Sequence, residues 1–208
     1  MDGLVLFGDV IASRRDAPAA TAWLRLLAGE LSGAVASSDR LAPFEFTQGD
    51  EIQGLLAPNA DALDVVLRAA LHPAALPMRW VVVAGDVDPG HGPATQRSGP
   101  AFVTARTRLS MASARRDRLA IVSGEPATDE LLDGLAPLLG ELLADLTTRQ
   151  REIAWLLLVE HLRRSEAAER LAVSRATISV AAERAHLRSI GELSRVLRTL
   201  LARVTGDR

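Results

Sequence analysis

Over its first 125 residues the chain alternates short apolar runs with segments of helical periodicity, and this alternation constrains the fold more than any other feature. The runs GLVLFGDV (3–10) and MRWVVVAGDV (78–87) have the length and composition of buried strands. Two short runs on either side of Gly49-Asp50 are typical of a β-hairpin. The predicted strands cover residues 3–10, 44–47, 52–56, 78–87 and 119–123, and the predicted helices cover 17–35, 60–71 and 99–114.

The resulting order, β-α-β-β-α-β-α-β, predicts an α+β fold of the ferredoxin-like type. In this palm arrangement an antiparallel-rich sheet carries its helices on one face. A leucine-rich helix over 131–143 is expected to pack on the sheet or to link it to the remaining chain. We therefore divide the chain into a palm domain (1–126), a linker helix (127–146) and an all-α C-terminal domain (147–208).

Charge separates the two ends of the chain. Residues 1–146 contain 12 Arg and 19 Asp or Glu, a net charge of −7, whereas residues 147–208 contain 12 Arg and 7 Asp or Glu, a net charge of +5. An acidic part joined to a basic part suggests two separate tasks, and a basic domain has the sign that a nucleic acid attracts. A simple attraction between the two parts is the alternative explanation.

Composition removes several classes of chemistry. The chain has no cysteine, and all 24 basic residues are arginine. A disulfide framework, a thiolate zinc site, a Schiff base and a lysine-dependent phosphate loop are thereby excluded. Seven aromatic residues argue against a binder that stacks single-stranded bases. No apolar run reaches the roughly 20 residues of a membrane helix, and the start lacks a signal sequence, so we expect a cytoplasmic protein without a membrane partner.

Three carboxylates are predicted to meet at one edge of the palm domain. Asp9 ends the first strand, and Asp50 and Glu51 lie in the hairpin, which neighbours that strand in a palm fold. Carboxylates from adjacent strands can hold Mg²⁺ and, through it, a nucleotide. Arg14 and Arg15 follow the first strand and could bind phosphate oxygens. The alternative is turn chemistry, because Asp and Gly favour turns for backbone reasons.

The C-terminal domain has the pattern of a helix-turn-helix. A helix begins near 147–152, and the segment 165–185 contains two helical stretches separated by Ala172-Val173-Ser174. Ala172 stands where many such motifs carry glycine, and Ser174 is a good N-cap for the second helix. The second stretch, 175–186, is the predicted recognition helix. A plain helical bundle used for dimerisation is the alternative.

Candidate DNA contacts follow from this assignment. Near the start of the recognition helix, Arg175, Thr177 and Ser179 are expected to face base edges. Arginines elsewhere in the domain are expected to contact phosphates, which position the protein without specifying sequence. The phosphate candidates are Arg149, Arg151, Arg163, Arg164, Arg184 and Arg188.

Four segments of the first part resemble class III nucleotidyl cyclases. They are FGDVIASR (7–14), FTQGDEIQGLL (46–56), MRWVVVAGDVD (78–88) and SGPAFVTARTRLSMA (98–112). The resemblance implies that Asp9 and Asp50 bind metal and that Arg108 is the catalytic, phosphate-binding arginine. It also places Thr104 at the nucleotide, in the position of the cyclase asparagine, and Phe46 in the position of the base-selecting lysine. Because cyclase sites form between two subunits, the resemblance further implies a homodimer.

Nearly the whole chain resembles the SatD family, in the GD-[IV]-x-x-SR start, the GDE-[FI]-QGLL hairpin and the C-terminal helix-turn-helix. The pattern LTTRQREI…AERLAVSRATIS (146–179) is also similar to sigma-factor region 4. These features favour a DNA-binding transcriptional regulator whose cyclase-like domain binds a nucleotide and metal or dimerises. The alternatives are a Mg²⁺-dependent nucleotidyl cyclase or nucleotidyltransferase with a regulatory tail, and a protein-interaction module with an inactive palm.

Overall fold

A computed structural model of the protein describes residues 1–47 and 49–206, which form a mixed α+β structure with a five-stranded sheet and eight helices. The strands are β1 (Asp2–Val10), β2 (Arg40–Phe46), β3 (Glu51–Leu56), β4 (Met78–Asp86) and β5 (Leu119–Val122). The helices of the first part are α1 (Ala17–Ala34), α2 (Ala62–Leu71), α3 (Pro100–Arg115) and α4 (Pro126–Ala144). Those of the second part are α5 (Thr148–Ala154), continued by a π-helical turn (Trp155–Val159), α6 (Arg164–Arg170), α7 (Arg175–Arg184) and α8 (Leu187–Gly206).

The sheet has the order β2-β3-β1-β4-β5, with β1 at its centre. β1 pairs antiparallel with both β3 and β4, β2 pairs antiparallel with β3, and β5 is added parallel to β4. The predicted alternation of strands and helices is confirmed. Pairing on both edges satisfies the backbone hydrogen bonds of β1, and its side chains are apolar along most of its length because both faces are buried.

Both faces of the sheet are covered by helices, which differs from the predicted coverage of one face. Leu4 and Leu6 of β1 belong to a core shared with α1, α2 and α4, whereas Val5 and Phe7 belong to a second core built with α3. Successive side chains of a strand point to opposite faces of the sheet. A strand that is apolar at successive positions therefore needs a packing partner on each face. The second cover is α3, whose Ala101, Phe102, Ala105 and Leu109 are buried.

One glycine of the β-hairpin is required by packing. An added Cβ at Gly54 of β3 would lie 2.1 Å from Cε1 of Phe44 on the neighbouring strand β2. The aromatic ring therefore lies directly against the Gly54 backbone, which fixes the hairpin's register on this face.

The helical part shares its core with the sheet. Buried residues of α4, α5 and α8 belong to the same apolar cluster as Leu4 and Leu6 of the central strand. Polar contacts reinforce the junction: Arg198 of α8 pairs with Asp61 at 2.7 Å, and Arg151 Nη1 donates to the Ala75 carbonyl at 3.2 Å. No described helix combines the length and apolar character needed to cross a bilayer.

Candidate functional site

The sheet register brings acidic residues together at the end of β1. Asp9 lies opposite Glu51 of β3 on one side and opposite Arg79 of β4 on the other. The backbone N–H of Val10 donates to the Asp50 carbonyl at 2.9 Å, which holds the hairpin turn beside the end of β1. The structure thus brings together Asp9, Asp50 and Glu51, as the sequence predicted.

Arg79 occupies the centre of this group. Its Nη1 atom is 2.9 Å from Asp9 Oδ2, and its Nε donates to the Asp117 carbonyl at 3.1 Å. The residue is only 7% exposed, so this ion pair is screened much less than a surface pair. The Ser13 hydroxyl donates to the Asp50 carboxylate, and the β1–α1 turn is thereby tied to the hairpin.

The carboxyl of Asp9 is strongly perturbed by its surroundings. Burial and the nearby negative charge of Asp50 raise its pKa from 3.8 to about 6, against the opposing effect of the Arg79 guanidinium. Because burial is the largest cause of this shift, a proton or a bound cation would lower the cost of holding the Asp9 charge away from water.

A cleft of about 390 Å³ opens beside these carboxylates. Asp9, Asp50 and Arg79 line it together with the turn that contains Ser13, Arg14 and Arg15. Arg14 and Arg15 are exposed at its rim, and Ala12 before them adopts a left-handed conformation, φ 58°. The cleft thus combines carboxylates that suit a divalent cation with guanidiniums that suit phosphate oxygens.

Two of these acids, Asp9 and Asp50, are the residues that could hold Mg²⁺. Within residues 1–47 and 49–206, no three His, Asp or Glu side chains are grouped closely enough to hold a metal ion by themselves. A metal there would thus need ligands from a nucleotide or from water, which is the usual coordination of Mg²⁺ in phosphate-transfer sites.

Arg79 and Arg106 also belong to the site; sequence reasoning assigned no role to Arg79 and made Arg106 only a weaker candidate for a phosphate contact. Arg106 of α3 forms an ion pair with Glu51, and its guanidinium lies 4.7 Å from the centre of the Phe7 ring. Gln53 donates to the same Glu51 carboxylate at 2.7 Å. The signal for Arg79 was present: it is the one charged residue in the otherwise apolar start of β4, where burial requires a partner.

Arg108 lies apart from the carboxylate cleft. Its Nη1 atom is 3.3 Å from Asp133 Oδ1 on α4, and the two residues line a small cavity between α3 and α4. Thr104, one helical turn earlier, is half-buried. Within one chain the structure therefore brings neither residue to the Asp9–Asp50 cleft.

The second candidate site is formed by α6 and α7. Ala168 of α6 and Ile178 and Ala182 of α7 are buried where the two helices cross. The connecting turn places Ala172 in a left-handed conformation, φ 51°, and the Ser174 hydroxyl accepts from the Thr177 N–H at 3.0 Å. The position of the turn and the serine cap are the features that the sequence predicted for a helix-turn-helix, and Ala172, where many such motifs carry glycine, is left-handed.

The start of α7 is open to solvent. Arg175, Ala176 and Thr177 are exposed, and Ser179 is half-buried and accepts from Arg164 Nη1 at 3.3 Å. In the described part of the chain, the guanidiniums of Arg175 and Arg184 have no hydrogen bond or ion pair. Two positive charges on this short helix are thus available for an external anion.

The other predicted phosphate contacts differ in their availability. Arg149 pairs with Glu152 and Arg163 pairs with Glu166, both at 2.6 Å and both at the surface. The hydrogen bond from Arg163 lowers the pKa of Glu166. Exposed pairs of this kind exchange readily for phosphate. Arg151 is different, because it is half-buried at the junction with the sheet and is bonded to Ala75.

Comparison of the chain with protein-family models, with curated proteins and with solved structures found no match.

Proposed function

We propose that the protein is a DNA-binding transcriptional regulator that reads DNA with α7. The observation that carries the proposal is the exposed start of α7, which follows a capped left-handed turn. Its Arg175 and Arg184 have no partner in the described part of the chain. This arrangement suits insertion into the major groove, because exposed residues at the start of a recognition helix reach base edges. Arg175 and Thr177 are the proposed base-reading residues.

The charge of the helical part supports the same function. The net charge of +5 over residues 147–208 gives an attraction to the phosphate backbone that does not depend on sequence. Around α7, Arg163, Arg164 and Arg184 are proposed to contact phosphates, with Arg149 and Arg188 at the edges of the surface. Arg151 is omitted from this set because its guanidinium takes part in the junction with the sheet.

We infer that the first part is a ferredoxin-like palm that acts as a nucleotide and Mg²⁺ sensor or as a dimerisation unit. The βαββαβ order, with the hairpin beside β1, supports the palm assignment, as does the resemblance of its segments to class III cyclases and the SatD family. A homodimer would present two α7 helices to two DNA half-sites about one helical turn apart. Such a regulator acts in the cytoplasm.

Selection from a pool of random duplex DNA tests this proposal. The protein is incubated with the pool at 50 and 200 mM salt, with and without ATP or GTP and Mg²⁺. Enrichment of a short sequence is the expected result, with binding that weakens steeply as salt rises. Arg175→Ala is expected to lose the enrichment, whereas Arg195→Ala, which removes an exposed arginine of α8, is expected to retain it. Salt-sensitive binding without enrichment would contradict a regulator that reads sequence.

The arrangement of Asp9 and Asp50 favours a second candidate function, a metal-dependent nucleotidyl cyclase or nucleotidyltransferase. Two carboxylates that share a cleft with two exposed arginines suit a nucleotide triphosphate and Mg²⁺. Because Arg108 lies away from this cleft, its catalytic role would require the α3 helix of a second subunit. Incubation with ATP or GTP and Mg²⁺ tests this function: turnover that Asp50→Asn abolishes without loss of DNA binding would establish it.

A further inference from the structure

A partly open cavity lies where the helical part meets the sheet. It has a volume of about 120 Å³, and its walls come from α2, β4, the start of β5, α4 and α5. Most of its lining is apolar, including Val66, Met78 and Leu143. A cavity of this size matches a single aromatic ring, because engineered apolar cavities of about 150 Å³ bind benzene.

Two buried donors in this wall have no acceptor among the residues that the structure describes. Trp80 is 2% exposed and lines the cavity, as does Arg151 of α5. Within the described residues, neither the indole N–H of Trp80 nor the Nε of Arg151 has a hydrogen-bond partner. A buried donor without an acceptor is destabilising, so two of them around one cavity indicate a missing acceptor.

The charged residues that line the cavity indicate which kind of ligand would supply the missing acceptor. Arg118 and Arg151 both line the cavity, and no aspartate or glutamate is among the lining residues. A neutral ligand would leave this positive charge uncompensated, and a strongly hydrated anion such as phosphate would lose its hydration against apolar walls. A carboxylate on an apolar body satisfies both parts of the wall, since guanidinium pairs with carboxylate in bidentate geometry.

We propose that this junction cavity is a binding site for a small aromatic or aliphatic monocarboxylate. The carboxylate accepts hydrogen bonds from Arg151 and Trp80, and the apolar body lies against Val66, Met78 and Leu143. The site is separate from the Asp9–Asp50 cleft and from the exposed surface of α7, and the proposal does not depend on the function of either.

Titration with benzoate, followed in the ¹H–¹⁵N spectrum of the intact protein, tests the site. The three tryptophans give three indole signals, and Trp155 is a built-in control because its indole N–H already donates to Glu160 at 2.8 Å. Saturable movement of the Trp80 signal, with a Kd of about 1 mM or lower and little movement of the Trp155 signal, is expected. Benzamide, which has the same shape without the charge, is expected to bind at least tenfold more weakly.

Four variants separate the site from general effects on the fold. Arg151→Met removes the guanidinium with its charge, Trp80→Phe removes the indole N–H, and both keep apolar bulk. Each is expected to weaken benzoate binding about tenfold or more. Arg149→Met is the matched control on the same helix and is expected to bind as the wild type. If Arg151→Met does not fold, Ala70→Leu fills the cavity instead, and the rise in Tm that benzoate produces in the wild type should be absent in it.

Binding of benzoate to the wild type and to these variants supports or overturns the proposed site. Loss of benzoate binding in Arg151→Met, or in Ala70→Leu, with retention in Arg149→Met supports the site. Absence of a saturable change at Trp80 with 50 mM benzoate or hexanoate would overturn it. Equal binding of benzoate and benzamide would overturn the assignment of a carboxylate.

Discussion

Asp9 lies near the end of the central strand β1 and carries one of the negative charges of the cleft. Its position at the end of β1 follows from the apolar run before it, and its contact with Arg79 follows from the register with β4. The sequence identified Asp9 and Asp50 because both follow short strands in a predicted palm. It did not predict that Arg106 pairs with Glu51, because this contact depends on α3 lying on the second face of the sheet.

Replacement of Asp9 by asparagine tests the charge balance of the cleft. Folding raises the pKa of Asp9 from 3.8 to about 6, so the folded chain holds this proton more tightly than the unfolded chain. Ionisation of Asp9 therefore destabilises the native state as pH rises between these values. The free energy of unfolding of Asp9→Asn minus that of the wild type should therefore increase by about 1–3 kcal/mol as the pH rises from 4 to 7. Urea unfolding in EDTA measures this, and an equal difference at both pH values would contradict the account.

Gly54 provides a second prediction at the residue scale. An alanine there would overlap the Phe44 ring, so Gly54→Ala should lower the free energy of unfolding by about 2–3 kcal/mol. Gly29, within α1, has no atom within 4 Å of an added Cβ, and Gly29→Ala should instead gain about 0.5–1 kcal/mol. Urea unfolding of both variants measures the contrast, and similar effects in the two would show that the ring contact does not fix the hairpin.

At the scale of elements, the turn between α6 and α7 was the most predictable part of the molecule. Small residues, a serine cap and a short interval between helices are local signals, and local signals are present in sequence. The cover of the second sheet face by α3 was not predicted, because α3 has a weak apolar stripe made largely of alanine. The predicted helix over 131–143 is confirmed within α4, which begins earlier because the Glu125 side chain caps it.

The left-handed Ala172 gives a prediction for this turn. A non-glycine residue at φ 51° is strained, so Ala172→Gly should raise the free energy of unfolding by about 1 kcal/mol. Ala181→Gly, in the interior of α7, should lower it by about 1 kcal/mol. Thermal or urea unfolding of both variants measures the difference, and a loss of stability in Ala172→Gly would show that the turn is not strained in solution.

At the scale of the whole molecule, the acidic first part and the basic second part are joined through a continuous core. The three segments could be predicted because charge and composition change along the sequence. The packing of α8 on α4 could not, because it depends on contacts between residues distant in sequence. The periodicity of a helix shows which of its faces is apolar but not which other helix packs on that face. The sequence therefore predicted the segments but not the contacts that join them.

This junction predicts cooperative unfolding of the two parts. Because α8 shares its core with β1, the slowest-exchanging amides of both elements should report about the same free energy of opening. Native-state hydrogen exchange measured by NMR tests this expectation. Amides of α8 that open at a cost at least 2 kcal/mol below those of β1 would indicate two independently stable parts.

The most direct test of the proposed DNA-binding function is the affinity of the protein for its selected duplex, measured with and without the side chain of Arg175. We expect Arg175→Ala to weaken binding at least tenfold at fixed salt, because a base-reading arginine is worth about 1–3 kcal/mol. Arg195→Ala should bind within about twofold of the wild type, because an arginine away from α7 contributes at most one screened phosphate contact. Equal affinity of Arg175→Ala and the wild type, or absence of duplex binding at low salt, would contradict the assignment of α7 as a recognition helix.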